Sequence, residues 1–270
     1  MLGKLVKYEL KACGRIFVPL YISILVVAAI IGMFSNTQIL QVPTILMFVL
    51  MALFIALVVM TVVLILQRFK KNLLEDEGYL MFTLPVSTKS LILSKYLTSL
   101  IYIILSAIVS ILAFTIILLF GGNLDISIFA NREFWGSVNQ ILAQKNIVGF
   151  IIIAVLGAFS TYTLFIFNVY LSLSVGQLPK FNNNRILVGV ITFFVINIII
   201  GIIQSSISIS ALSISETMNI NANTNIIDGM NTALGNVNVY NIIHLIVSFC
   251  IIVVLFIGIN WILNKKLNLE

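Results

Sequence analysis

Apolar residues run along the chain in six long stretches. They cover residues 16–34, 43–66, 96–120, 147–175, 186–204 and 241–263, and none of them contains a charged residue. Each stretch predicts one membrane-spanning helix, because a helix needs about 20 predominantly apolar residues to cross the bilayer. The fourth stretch is longer than a crossing needs, so it is expected to tilt or protrude. The pattern predicts an all-α integral membrane protein with six transmembrane helices in a single transmembrane domain, residues 1–270.

Composition supports lipid as the solvent of this chain. It is 61% hydrophobic and 9% charged, whereas a soluble domain is about 25% charged. A net charge of +6 would suit nucleic-acid binding in a soluble protein. Here, however, Lys and Arg lie at the ends of the apolar stretches, as in a topology signal.

Basic residues are divided unequally between the two sides of the predicted membrane. Of the 15 Lys and Arg residues, all except Arg132 and Lys145 fall on one side. That side is expected to be cytoplasmic, because cytoplasmic loops carry an excess of Lys and Arg. Both termini and the loops after spans two and four are then cytoplasmic, and residues 121–146 and 205–240 are extracellular.

Residues 1–15 have the pattern of an amphipathic helix at the membrane surface. At about 100° per residue, one sector holds Lys4, Lys7, Lys11 and Arg15, and the opposite sector holds Leu2, Leu5, Val6, Leu10 and Cys13. Such a helix lies in the interface with its apolar side down. Glu9 falls in the apolar sector, where a bare carboxylate is costly. It either pairs with a cation on a neighbouring helix or belongs to a frayed terminus.

The two outer segments differ in pattern. Residues 121–146 carry Phe129, Phe134 and Trp135 among polar residues, which predicts a partly amphipathic element on the outer interface with Trp135 as an anchor. Residues 205–240 begin with alternating Ser and Ile, become rich in Asn and show no clear helical pattern of apolar residues. Any extended structure there is expected above the membrane or against protein, since an unpaired strand cannot sit in lipid.

The sequence lacks the motifs of several enzyme classes. It contains no G-x-x-x-x-G-K-[ST] loop for nucleotide phosphates, so the chain is not expected to hydrolyse ATP by itself. The only histidine, His244, lies one turn into the last span, where packing is favoured over a proton relay. With two distant cysteines, neither a metal site nor a catalytic constellation is expected. The chain is therefore not expected to be an enzyme or to hold a cofactor.

The spans offer only neutral polar groups to a substrate. Most of these are expected to make hydrogen bonds between helices, worth about 0.6 kcal/mol each. The candidate substrate-path residues among them are Thr161, Tyr162, Asn168, Asn197 and Gln204. An uncharged interior favours an amphiphilic or hydrophobic substrate, such as a peptide, lipid or drug, over a small ion.

The loop between spans two and three, residues 67–95, has the most distinctive pattern. Three acids precede a glycine, an apolar run and a proline: Glu75, Asp76, Glu77, Gly78, Tyr79, Leu80, Met81, Phe82 and Pro85. Acids favour the start of a short helix, and the proline favours a break before the next one. Ser87 or Thr88 is expected to cap the helix that becomes span three. An apolar patch on such a cytoplasmic helix is typical of a docking surface.

Two blocks of this sequence resemble the permease subunits of ABC transporters of the type-two exporter class, as found in low-GC Gram-positive bacteria. MLGKLVKYELKACGRIFVPLY is similar to the start of these permeases, and NLLEDEGYLMFTLPVSTKSLILSK is similar to their DEGYL-x-x-TLP-V signature. The resemblance implies an in-plane elbow helix over residues 1–15, a coupling helix between spans two and three, and outer helical elements between spans five and six. The ATPase-coupling role is assigned by this resemblance to Glu75, Asp76, Glu77, Gly78, Tyr79, Leu80, Met81, Phe82 and Pro85.

The resemblance also implies a location and partners. The location is the bacterial cell membrane. The partners are two copies of a cytoplasmic ABC ATPase, which binds ATP and Mg, a second permease chain, identical or related, and membrane lipids, with no nucleic acid. The implied function is ATP-driven export or resistance, with antimicrobial peptides common for this group. The alternative is a non-transporting membrane subunit, such as a sensor or assembly partner, and an intramembrane enzyme is disfavoured.

Overall fold

A computed structural model describes residues 2–34, 41–71, 87–121, 131–143, 147–217 and 226–265. Over these residues the chain forms seven α-helices and one 3₁₀ helix and contains no strand. The α-helices are α1 (Leu2–Phe34), α2 (Gln41–Phe69), α3 (Thr88–Phe120), α4 (Arg132–Leu142), α5 (Ile147–Gly176), α6 (Arg185–Thr217) and α7 (Ile226–Lys265), and the 3₁₀ helix covers Pro179–Asn184. They belong to two compact units, residues 1–131 with α1 to α3 and residues 132–268 with α4 to α7.

Six of the described helices, α1, α2, α3, α5, α6 and α7, are long and apolar enough to cross a membrane. Each predicted apolar stretch lies within one of them, so the all-α fold with six candidate spans is confirmed. Helix α1 has 33 residues and is about 50 Å long at 1.5 Å per residue. It therefore extends beyond a hydrocarbon core of about 30 Å.

Helix α1 joins the predicted elbow and the first span without a break. Its buried positions form one stripe at helical spacing, consisting of Glu9, Cys13, Phe17, Ile24, Ala28, Ile31 and Gly32. The stripe continues past residue 15, where the elbow was expected to end. One side of α1 packs against the other helices of its unit both before and after that residue. A separate in-plane elbow is therefore not confirmed, whereas the predicted amphipathic pattern is present in α1.

In the first unit, α1 packs along α3 and also contacts α2. Phe17 stacks on Tyr102 with ring centroids 4.4 Å apart and planes inclined by 15°. Further along, a Cβ on Gly32 would lie 2.6 Å from the Cβ of Phe120. Glycine is needed there because the two helices approach more closely than a side chain allows.

In the second unit, α5 contacts both α6 and α7 and packs most extensively on α7, and α6 and α7 also contact each other. The rings of Phe167 and Phe256 are 5.8 Å apart. The turn from α5 to α6 is tight, since a Cβ on Gly176 would lie 2.5 Å from the carbonyl oxygen of Arg185. Pro179 then begins the 3₁₀ helix. The 30 residues of α5 agree with the predicted excess length of the fourth span.

Helix α4 has no buried residue. At about 100° per residue, its apolar residues share one sector, and they are Phe134, Trp135, Val138, Ile141 and Leu142. The predicted amphipathic element is therefore a helix, and Trp135 is 51% exposed on it. Its position on the outer interface stays a prediction.

The alternating Ser and Ile residues after span five do not form extended structure, because α6 continues to Thr217. The hydroxyls of Ser205 and Ser206 donate to the carbonyl oxygen of Ile202 at 3.0 and 2.8 Å. Serine hydroxyls can thus be satisfied by the preceding turn, and a polar position does not interrupt the helix. Residues 218–225 lie outside the described residues, and α7 begins at Ile226.

Candidate functional site

Three charged side chains meet at one end of the first unit. Glu9 of α1 forms an ion pair with Lys95 of α3, through Oε1 and Nζ. The other carboxylate oxygen, Oε2, lies 4.0 Å from Nη1 of Arg68, in the last turn of α2. We call Glu9, Arg68 and Lys95 the charged junction. A single carboxylate thus connects three helices.

Two members of the charged junction are buried, whereas the Arg68 side chain is 29% exposed. Glu9 is 8% exposed and Lys95 is 4% exposed. Buried charges persist in proteins when they are paired, because an isolated ion loses its hydration without compensation. The pairing therefore holds α1 against α2 and α3 at this end.

The position of the junction follows from where the second apolar stretch ends and the third begins. Arg68 comes just after the second apolar stretch, and Lys95 comes just before the third. The prediction that Glu9 pairs with a cation on a neighbouring helix is confirmed, and the frayed alternative is wrong. Sequence alone did not identify the partners, since the loop of residues 67–95 contains five basic residues.

Tyrosine hydroxyls continue the contact between α1 and α3 beyond the junction. The hydroxyl of Tyr102 donates to the carbonyl oxygen of Leu10 at 2.7 Å. The hydroxyl of Tyr21 lies 2.8 Å from the Ser106 hydroxyl and donates to the carbonyl oxygen of Tyr102 at 3.2 Å. These bonds and the Phe17–Tyr102 stack add directional contacts, so the two helices are held in one register.

In the junction, the Glu9 carboxylate faces two cations from neighbouring helices. Across the part of the chain that the structure describes, no group of three or more His, Cys, Asp or Glu side chains is placed to hold a metal ion. The ring of His244 lies 6.1 Å from that of Tyr240, and its role stays a prediction.

The predicted coupling residues lie outside the described residues, but both of their flanks are described. These residues are Glu75, Asp76, Glu77, Gly78, Tyr79, Leu80, Met81, Phe82 and Pro85. Helix α2 ends at Phe69, and α3 begins at Thr88 after Ser87 in the N-cap position, as predicted. The Ser87 hydroxyl forms no cap bond to the backbone and instead lies 3.0 Å from that of Ser90. The coupling helix itself stays a prediction.

The five candidate path residues lie on α5 and α6 with unequal exposure. Asn168 is buried at 1% exposure. Thr161 and Asn197 are exposed, and each donates at 2.9 Å to a backbone carbonyl four residues earlier in its own helix. Tyr162 and Gln204 are half-buried. Their role in a substrate path stays a prediction.

The six apolar helices define the class of this protein, a multi-pass α-helical membrane protein. Comparison with protein-family models, curated proteins and solved structures gives no match. The sequence pattern and the charged junction are therefore the grounds for a functional proposal.

Proposed function

We propose that the chain is the membrane-spanning permease subunit of an ATP-driven ABC exporter, coupled to a separate ATPase. The six apolar helices and the signature-like segment between α2 and α3 support this function. The observation that carries it is the position of the charged junction. Arg68 and Lys95 lie on the two helix ends that flank the segment proposed to meet the ATPase, and Glu9 contacts both.

The junction offers a way to pass movement from that segment into the membrane. Force on the segment reaches α2 near Arg68 and α3 near Lys95. Because both cations face Glu9, α1 is drawn along with them. Breaking a buried ion pair costs about 3–5 kcal/mol, so the Glu9–Lys95 pair is expected to stay closed while the helices move. The longer contact with the partly exposed Arg68 is weaker.

The proposed substrate is an amphiphilic or hydrophobic molecule, such as a peptide, lipid or drug. An open apolar surface of α2, bordered by one residue of α3, supports this class, because every residue that lines it is apolar: Met47, Leu50, Met51, Phe54, Ile55, Val58, Val59 and Phe114. Such a surface cannot replace the hydration shell of an ion. It suits an alkyl chain or an aromatic ring.

The coupling assignment is tested by Tyr79→Ala and Phe82→Ala in a complex with the ATPase. Loss of a buried aromatic anchor costs about 2 kcal/mol or more at an interface, so ATPase affinity should fall by about 30-fold. Single acid-to-Ala changes at residues 75–77 should be milder and more sensitive to salt. Tyr8→Ala is the matched control, since this tyrosine is 72% exposed on α1, outside the segment.

The aromatic variants can also disprove the coupling assignment. If ATPase binding and substrate-stimulated hydrolysis match the unsubstituted protein, the segment rests on lipid and does not couple.

The chain purified alone should show no ATP hydrolysis above background, because it has no phosphate-binding loop.

Transport must be separated from a sensing or assembly role in the same complex. The complex is reconstituted in vesicles, and ATP hydrolysis and movement of a candidate peptide are measured together. Stimulated hydrolysis with peptide movement supports the permease. Stimulated hydrolysis without movement of any tested amphiphile would favour the non-transporting subunit.

A further inference from the structure

Four cations follow the exposed side of α1. Lys4, Lys7, Lys11 and Arg15 are all exposed, and they fall within a sector of about 80° at 100° per residue. We call these four residues the basic strip. The only acid of α1, Glu9, lies on the buried side in the charged junction. Among the residues that the structure describes, no acid forms an ion pair with the strip. The positive charge of the basic strip is therefore not balanced by any acid among the described residues.

The same side of α1 becomes apolar immediately beyond Arg15. Val18, Ile22 and Val26 continue the line of the strip and are 52%, 56% and 51% exposed. Apolar side chains at this exposure and spacing suit contact with acyl chains. One side of one helix thus presents cations along its first half and hydrocarbon along its second.

Contacts between α1 and α3 relate positions on α1 to the start of the apolar stretch of α3. Glu9 meets Lys95, and Gly32 lies against Phe120. The two pairs have nearly the same numbering offset, so the helices run parallel. The apolar stretch of α3 begins at residue 96, which is about level with Leu10 of α1.

The basic strip straddles that level. At 1.5 Å per residue, Lys4 lies about 9 Å to its polar side and Arg15 about 7.5 Å to its apolar side. Long basic side chains extend toward the interface from such positions. The four charges therefore reach the layer of about 5–8 Å that lipid headgroups occupy on each side of a bilayer.

We propose that the basic strip of α1 binds the phosphate groups of anionic phospholipids of the phosphatidylglycerol class. Such a lipid matches both halves of this side, because its net negative headgroup, which no choline cation neutralises, meets the four cations and its acyl chains meet Val18, Ile22 and Val26. Free phosphate would match only the first half. The lipid site does not depend on the proposed transport function, so the two proposals are tested independently.

The test compares two lipids with the same acyl chains. The purified protein in detergent is titrated with phosphatidylglycerol or phosphatidylcholine, and bound lipid is counted by native mass spectrometry. Phosphatidylglycerol should bind more tightly, and Lys7→Gln with Lys11→Gln should weaken that binding by roughly 25-fold, about fivefold for each charge. The matched control is Lys89→Gln with Arg132→Gln. It removes two exposed cations from other helices and should change binding by less than about twofold.

A second pair, Lys4→Gln with Arg15→Gln, should reproduce the loss. All these positions are exposed, so helical content measured by circular dichroism should not change. An equal loss in the control variant would show that net charge, rather than the strip, attracts the lipid. Equal binding of the two lipids, or displacement of phosphatidylglycerol by inorganic phosphate, would overturn the proposal.

Discussion

At position 9, a carboxylate occupies a place where the helical pattern of α1 favours an apolar side chain. It is buried beside Lys95 and lies 4.0 Å from Arg68. A buried ion pair adds little net stability over an apolar pair, because both ions lose their hydration. Once formed, however, it strongly disfavours any arrangement that separates the partners. Glu9 is therefore expected to set the register of three helices rather than to increase stability.

Glu9→Gln should destabilise the protein, since it leaves the ammonium of Lys95 buried without a counter-charge. The free energy of unfolding in mixed micelles should fall by about 3–5 kcal/mol. Lys89→Gln, on α3 like Lys95, is the control. Because Lys89 is exposed, this variant should change the free energy of unfolding by no more than about 0.5 kcal/mol.

The double variant Glu9→Leu with Lys95→Met tests the physical cause. Apolar replacement of Glu9 and Lys95 removes the closely paired buried charges together, and Arg68, whose side chain is 29% exposed, can be hydrated instead. Most of the lost stability should therefore return. If Glu9→Gln unfolds no more easily than Lys89→Gln, the pair does not hold the helices together.

At the scale of the elements, small residues decide how closely helices approach. At Gly32, an added Cβ would meet the Phe120 Cβ at 2.6 Å and the Ile116 carbonyl oxygen at 3.2 Å. At Gly157 of α5, an added Cβ would meet nothing within 4 Å. Gly32 lies in the last turn of α1 and Gly157 well inside α5, and at each position the surroundings decide the sign of the effect of alanine.

Gly32→Ala should therefore cost about 1–3 kcal/mol, because α1 and α3 must move apart. Gly157→Ala should instead gain about 0.5–1 kcal/mol, since alanine restricts the unfolded chain and favours the helix. Both are measured as unfolding free energies in the same micelles. Similar values for the two variants would mean that the close contact at Gly32 relaxes without cost.

At the scale of the whole molecule, the orientation in the membrane is tested by cysteine labelling of intact cells. With Cys13 and Cys250 replaced by Ser, an impermeant reagent should label Ser137→Cys and Asn231→Cys, but not Asn72→Cys or Asn182→Cys. The reason is that 13 of the 15 basic residues lie on one side of the spans. Permeabilised cells should show labelling at all four positions, as a control. Labelling of Asn72→Cys and Asn182→Cys in intact cells would reverse the orientation.

The sequence by itself determined the six spanning segments, the all-α class and the exposed basic side of α1. Lipid offers no hydrogen bonds to the backbone, so long apolar stretches have to form helices. Helical periodicity then places Lys4, Lys7, Lys11 and Arg15 on one side. These features depend on residues close together in the chain, and a single sequence contains that information.

Only the tertiary structure decided which residues meet. Glu9 pairs with Lys95, 86 positions away, although Lys70, Lys71 and Lys89 lie in the same predicted loop. The tertiary structure also showed that α1 runs unbroken through residue 15 and that α6 continues through the alternating Ser and Ile residues. These outcomes depend on contacts between distant segments and on hydroxyls bonding within a helix. Side-chain periodicity along one segment contains neither kind of information, because it records polarity and not the partner that satisfies it.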